Sequence, residues 1–227
     1  MVDVPRAGLS PDAVVRLALE VVDAGGPSGF ADLTLAKVAA RAGVAAPSLY
    51  KHVGSLADLR REVTIIAVRE LTAAGTSATV GRAGADALHA LAEAWRRYAR
   101  AYPGRYVATQ IGADPDDPAD DRHRAAGEEG VQTVVAVLRG FGLPDERVID
   151  AVRAVRAGVH GFVTLELGAG FRRREDLDQS FAVLLDMLVA GVAALATPAA
   201  PPAAPQDPAA PHDPTTPQDS TTTRSPR

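Results

Sequence analysis

The chain has 227 residues, enough for one or two compact domains with a sizeable core, and carries 24 Lys and Arg against 28 Asp and Glu, a net charge of −4. It has no cysteine, which excludes disulfides and thiolate metal sites, and its histidines at 52, 89, 123, 160 and 212 are too scattered for a local metal motif. The N-terminus MVDVPRAGLS lacks the pattern of a signal peptide, and the apolar run from Met187 to Ala196 is too short to span a bilayer, so a cytoplasmic protein with no membrane partner is expected.

In chain order, Ser10-Pro11-Asp12 opens a first helix with a capping hydroxyl, a proline at the first helical position and an acid in the first turn. Val14, Leu17, Ala18 and Val21 recur at helical spacing, and Gly25-Gly26-Pro27 ends the run. In the loop that follows, Phe30 and Leu33 read as core plugs, and Thr34 caps the next helix.

Residues 34–53, TLAKVAARAGVAAPSLYKHV, read as a helix-turn-helix. Leu35, Val38 and Ala39 on one helix and Val44 and Leu49 on the next supply the apolar crossing, and Gly43 stands where the chain turns with φ > 0. Pro47 is tolerated in a first turn, and Ala45 leaves that helix weakly capped. Ala45, Ala46 and Ser48 offer little for base reading, so specificity is expected to rest on DNA shape and half-site spacing. Tyr50, Lys51 and His52 suit phosphates, although Tyr50 also suits packing. From Lys37 to Arg61 five basic residues face one acid, Asp58, which makes this segment a basic patch on an acidic body.

This stretch, with Ser55-Leu56-Ala57-Asp58-Leu59 beginning the next helix, resembles the N-terminal domain of the TetR family of transcriptional regulators over residues 10 to about 66. The series Ala39-x-x-x-Gly43-Val44-x-x-x-x-Leu49-Tyr50-x-His52 carries the likeness. A second stretch, RAVRAGVHGFVTLELGAGF from Arg153 to Phe171, is similar to the ligand-binding domain of a TetR subgroup marked by a His-Gly pair, with Arg156 where that subgroup usually has tryptophan. The resemblance implies that Thr34, Lys37, Ala45, Ala46, Pro47, Ser48, Tyr50, Lys51 and His52 face DNA, with the amides at the start of the Thr34-capped helix near a phosphate. Leu56 stands where relatives often carry a phosphate-contacting lysine; Arg60 or Arg61 either replaces it or belongs to a solvated face.

Beyond it, Ser55 and Asp58 form a capping box opening a helix from Leu56 to about Ala74, with Leu59, Val63, Ile66, Ala67 and Leu71 inward. GTSATVGRAG reads as a linker. Residues 85–102 form an amphipathic helix whose stripe includes Leu88, Leu91, Ala92, Trp95, Tyr98 and Tyr102, either a core seam or part of a cavity wall. A short helix from Arg105 to about Ile111 and the acidic loop ADPDDPADD precede a helix over 122–141. Two long apolar helices, Asp145 to about Leu167 and Glu175 to about Ala196, have more apolar surface than one thin body covers, and by resemblance they build a four-helix dimer interface. From Thr197 the proline-, alanine- and threonine-rich tail is too poor in large apolar residues to fold.

The expectation is an all-α protein: a three-helix DNA-binding domain with a helix-turn-helix (1–66), a helical bundle for ligand binding and dimerisation (67–196), and a disordered tail (197–227). The resemblance implies a homodimeric regulator, a repressor on a palindromic double-stranded operator, released when a small-molecule effector enters a cavity near Trp95, Tyr98, Gln110 and His160. An effector-independent DNA-binding protein or activator is the alternative. Glu128, Glu129, His123 and His160 offer acid–base groups, but no nucleophile motif, phosphate loop, cofactor motif or metal spacing accompanies them, so catalysis is not expected.

Overall fold

The computed structural model describes residues 9–173 and 175–196; the expected tail lies outside the described residues. The described chain contains α1 (Pro11–Ala24), α2 (Leu35–Ala42), α3 (Leu56–Thr79), α4 (Gly84–Ala101), α5 (Pro103–Ala108), α6 (Asp121–Arg139), α7 (Asp145–Leu167) and α8 (Leu177–Ala196), with short 3₁₀ segments between some of them and no strand among the described residues.

Local chemistry sets several boundaries. Ser10 Oγ accepts from the Ala13 amide at 3.2 Å and Thr34 Oγ1 from the Lys37 amide at 3.2 Å, each satisfying an orphan donor of a first turn. Gly43 closes α2 at φ 68°, donating to the Ala39 and Ala40 carbonyls. Ser55 Oγ accepts from the Asp58 amide at 3.0 Å, but the return bond runs from the Ser55 hydroxyl to Asp58 Oδ2, not from the Ser55 amide to the carboxylate.

Two apolar clusters share helices. A head cluster joins Val14, Ala18, Val22, Phe30, Leu33, Val38, Leu49, Leu59 and Val63. A body cluster joins Leu88, Leu91, Tyr106, Val134, Leu138, Val155, Val159, Phe181 and Leu185. Helix α3 serves both, with Leu59, Val63 and Ala67 in the head cluster and Leu71 against the body cluster. The expected division at residue 66 therefore falls inside one continuous helix.

Four expectations change. Helix α1 buries Val15, Leu19 and Val22 with Val14 and Ala18, whereas Leu17 and Val21 are only half-buried, because the helix is apolar on more than one side and its neighbours select the face. Helix α3 runs on to Thr79 through the expected linker, held by packing on α4 and α6. Tyr102 and Ile149 are exposed. The run from Met187 to Ala196 belongs to the 20-residue helix α8, which by length and composition alone is long and apolar enough to cross a membrane. Most of that helix is unburied in this chain, with Val183 and Met187 outward.

A charged cluster ties α4, α7 and α8. The Arg96 guanidinium donates to both Glu166 oxygens at 2.8 and 2.7 Å, meets Asp178 at 2.8 Å and lies 4.6 Å from the Phe181 ring centroid. Arg100 joins it, donating to Glu166 at 2.6 Å. These hydrogen bonds, Arg96 first, hold the Glu166 carboxyl below the usual carboxylate range against the opposing effect of its burial. Glu166→Gln keeps the shape but removes the shared charge, and is expected to lower the unfolding free energy by about 3 kcal/mol at neutral pH. The ionised form is favoured by folding, so the contribution is complete above the ordinary glutamate pKa and lost as pH falls through the depressed folded value. Urea unfolding of both proteins at neutral and acid pH checks this, the gap narrowing in acid.

Candidate nucleic-acid interface and ligand cavity

The outer surface of the head is built by α2 and a six-residue 3₁₀ helix, Ala46–Lys51. Ala45 caps this segment without a side-chain hydrogen bond, as the missing hydroxyl dictates, and the turn closes through His52 N–H to the Leu49 carbonyl at 2.8 Å. Leu49 is fully buried and anchors the segment, which leaves Ala45, Pro47, Tyr50 and Lys51 exposed and Ala46, Ser48 and His52 half-buried. Thr34 and Lys37 are exposed at the start of α2. The sequence-predicted set thus lies on the two consecutive elements around the Gly43 turn.

The basic patch is thinner than its composition implies. Arg41 is paired with Glu20 at 2.6 Å. Arg60 donates to the Ala31 and Leu33 carbonyls at 2.9 and 3.1 Å, bracing the loop that leads into α2. Arg61 binds Asp58 at 2.8 Å, Asp117 at 3.0 Å and Asp120. Both arginines are thus held by partners within the chain and neither forms a freely solvated face. Among the described residues, Lys37 and Lys51 are the cations of the patch whose side chains make neither an ion pair nor a hydrogen bond; Arg60 has no carboxylate partner but is held by carbonyls. Asp120 is held below the usual carboxylate range, first by the Asp114 amide and then by Arg61.

A cavity of about 430 Å³ lies in the body between α3, α4, α6, α7 and the segment around Gln110. Its wall includes Leu71, Trp95, Val131, Val134 and Val152, with polar groups from Tyr106, Thr109, Gln110, His123 and His160. Three of the four expected residues meet there: Trp95, Gln110 and His160. Tyr98 does not. Its hydroxyl donates to Glu70 at 2.8 Å, and burial followed by the Glu70 charge drives its pKa well above the usual tyrosine range. Tyr106, missed from sequence, takes the position instead, its hydroxyl 3.2 Å from His160 Nδ1. Burial pushes the Tyr106 pKa up to about 12, and burial, then the nearby Arg156 charge, pulls that of His160 down, so both are neutral at pH 7.

Helix α5 stands between cavity and head. Tyr106 faces the cavity and Ala108 enters the head cluster. Arg105 donates to Asp23 on α1 at 2.8 Å and to Glu70 on α3 at 2.8 Å. Gly104 lies so close to the end of α1 that an added Cβ would stand 2.7 Å from the Gly26 carbonyl oxygen and 2.8 Å from that of Val22. Helix α3 spans the same interval, with Val68, Leu71 and Thr72 in the wall.

A family model described as "Tetracyclin repressor-like, C-terminal domain" matches residues 88–188. The chain is 36% identical over 187 residues to an uncharacterized HTH-type transcriptional regulator of Mycobacterium tuberculosis, Rv0681, covering 82% of this chain and 83% of that protein. It is 29% identical over 189 residues to the uncharacterized HTH-type transcriptional regulator YobS of Bacillus subtilis, covering 83% and 95%. Among solved structures, a TetR of Acinetobacter baumannii in complex with minocycline matches in fold with a TM-score of 0.61 at 23% identity, over 84% of this chain and 99% of that one.

The glycines of α5 and α6 give a paired test of this geometry. Gly104→Ala presses a methyl group onto backbone and is expected to cost about 1–3 kcal/mol. Gly127, in the cavity wall on α6, has open space where a Cβ would stand, so Gly127→Ala is expected to stabilise by about 0.5–1 kcal/mol. Thermal unfolding of the two variants beside the parent separates the outcomes.

Proposed function

The chain belongs to the TetR family of transcriptional regulators, and from that premise we propose a ligand-responsive repressor that binds a palindromic operator as a homodimer. The observation that carries the reading is that α3 and α5 are at once walls of the cavity and supports of the head. A molecule that enters the cavity bears directly on Tyr106 and Gln110 and therefore on the helix that grips α1. The minocycline held by the Acinetobacter relative of the same fold supports a small-molecule effector here.

On the DNA side, Thr34 and the α2 N-terminus present amides and a hydroxyl to one phosphate, and Lys37, Tyr50, Lys51 and His52 hold others. Ala45, Ala46, Pro47 and Ser48 meet base edges with small surfaces only, so groove shape and half-site spacing carry the discrimination. Two heads are needed for a spacing. The outward apolar side chains of α7 and α8, Leu165, Val183 and Met187, are 50–68% exposed and support a second copy as their cover. The same contact accounts for the hydropathy of α8 in a cytoplasmic protein.

Effector binding releases DNA only by favouring one head separation over another, because equal affinity for both shifts nothing. Selection of random duplex DNA by the purified protein is expected to recover a palindrome; enrichment of no sequence overturns the specific-regulator reading. Binding of the selected site is expected to weaken with Lys51→Ala and Tyr50→Phe, the lysine change also lowering the salt slope by about 1 per half-site. Gly127→Phe, which fills open cavity space, is expected to bind the operator normally and to ignore compounds that release the parent from DNA in a gel-shift titration.

A further inference from the structure

The charge of the cavity wall is one-sided. Arg124, Arg153 and Arg156 line it and no aspartate or glutamate does. The three guanidiniums differ in what already neutralises them. Arg124 is fully engaged, with Asp121 and with the carbonyls of Asp114 and Asp117. Arg153 meets only the exposed Asp150, at 3.8 Å. Arg156 has no carboxylate partner among the described residues and makes one long hydrogen bond, to Gln110 Oε1 at 3.5 Å.

Arg156 sits one turn before His160 on α7, and its charge is felt at both His160 and Tyr106, the neutral pair inside the cavity. The remaining wall is mostly apolar, with Leu71, Trp95, Ile111 and Ile149 as its larger members. An apolar body fits such a wall, and a negative group next to it would meet an uncompensated guanidinium. That contact is a charge-assisted, geometrically forked hydrogen bond, stronger than any the neutral Tyr106–His160 pair offers. A cationic ligand would meet like charge at the same place and find no carboxylate in the wall.

Resting on the reading of this cavity as the effector site, we propose that the effector is an amphipathic organic acid, an aromatic or acyl body ending in one carboxylate, with Arg156 as the residue that selects the acid. Arg153, three residues earlier on the same helix, supplements the field at the mouth.

The test uses full-length protein and the fluorescence of Trp95, the only tryptophan, which lies in the wall. The probes are 4-phenylbutyrate and decanoate, each beside its amide and its amine. The acids are expected to bind roughly 10- to 100-fold more tightly than the amides, with the amines weakest. Arg156→Gln, an exposed position where folding is not at stake, removes the advantage of the acids and leaves the amides unchanged. Equal binding of acid and amide, an advantage that persists in an Arg153→Gln/Arg156→Gln double variant, or no binding of either acid at millimolar concentration overturns the assignment. Gly127→Phe separates the two levels: amide binding that it blocks, with no preference for acid, leaves the cavity reading standing while the acid falls. Quenching by every probe that survives Gly127→Phe removes the cavity reading itself.

Discussion

The architecture depends on one guanidinium held between two carboxylates. Arg105 is 15% exposed in its side chain and reaches Asp23 on α1 and Glu70 on α3, so a single residue of a six-residue helix fixes the head against the body. Burial of its charge is tolerable because two carboxylates accept its hydrogen bonds and the guanidinium lies over the Tyr102 ring, 4.7 Å from the centroid. The Gly104 contact beside it removes the slack that a side chain would introduce. With Tyr106 on one side and Ala108 on the other, α5 cannot move in the cavity without moving in the head.

Charge elsewhere is sorted by the same demand. The acidic loop around Asp114 to Asp121 looks like a solvated patch in composition, yet Asp117 and Asp120 neutralise Arg61, and Arg122 meets Glu62 at 2.6 Å. This second fastening joins the beginning of α3 to the beginning of α6 and consumes Arg61, which would otherwise add to the basic patch.

Much of the fold was legible because local chemistry decided it. Caps at Ser10, Thr34 and Ser55, the left-handed Gly43 and the bounds of α7 follow from single residues and their immediate neighbours. Partnerships across 56 to 82 residues, such as Arg61 with Asp117 and Arg105 with Asp23, leave no periodic trace and were not legible. Spacing groups residues on a helix without saying which neighbour the group meets. Trp95 and Tyr98 share a stripe but differ by about 60° around the axis, enough to turn one to the cavity and the other to Glu70. His160 stood out through the His-Gly pair of the stretch resembling a ligand-binding domain, whereas Tyr106 lay in a short helix with too few residues to show a pattern.

The thin phosphate grip bears on how release works under the proposed function. Shifting a two-state equilibrium from 1:99 to 99:1 takes a difference of about 5.5 kcal/mol in ligand affinity. A drug-sized ligand of about 20 non-hydrogen atoms has roughly 6 kcal/mol of binding in total at about 0.3 kcal/mol per atom. Nearly all of that would have to discriminate between states if the heads were locked to DNA by many contacts. With Lys37 and Lys51 the patch cations whose side chains make no ion pair or hydrogen bond among the described residues, and no bidentate base reader in Ala45 to Ser48, the DNA-bound spacing of the proposed regulator needs less opposing energy. In the proposed homodimer, weak individual heads joined through long helices thus match the modest free energy that one ligand in a 430 Å³ cavity can supply.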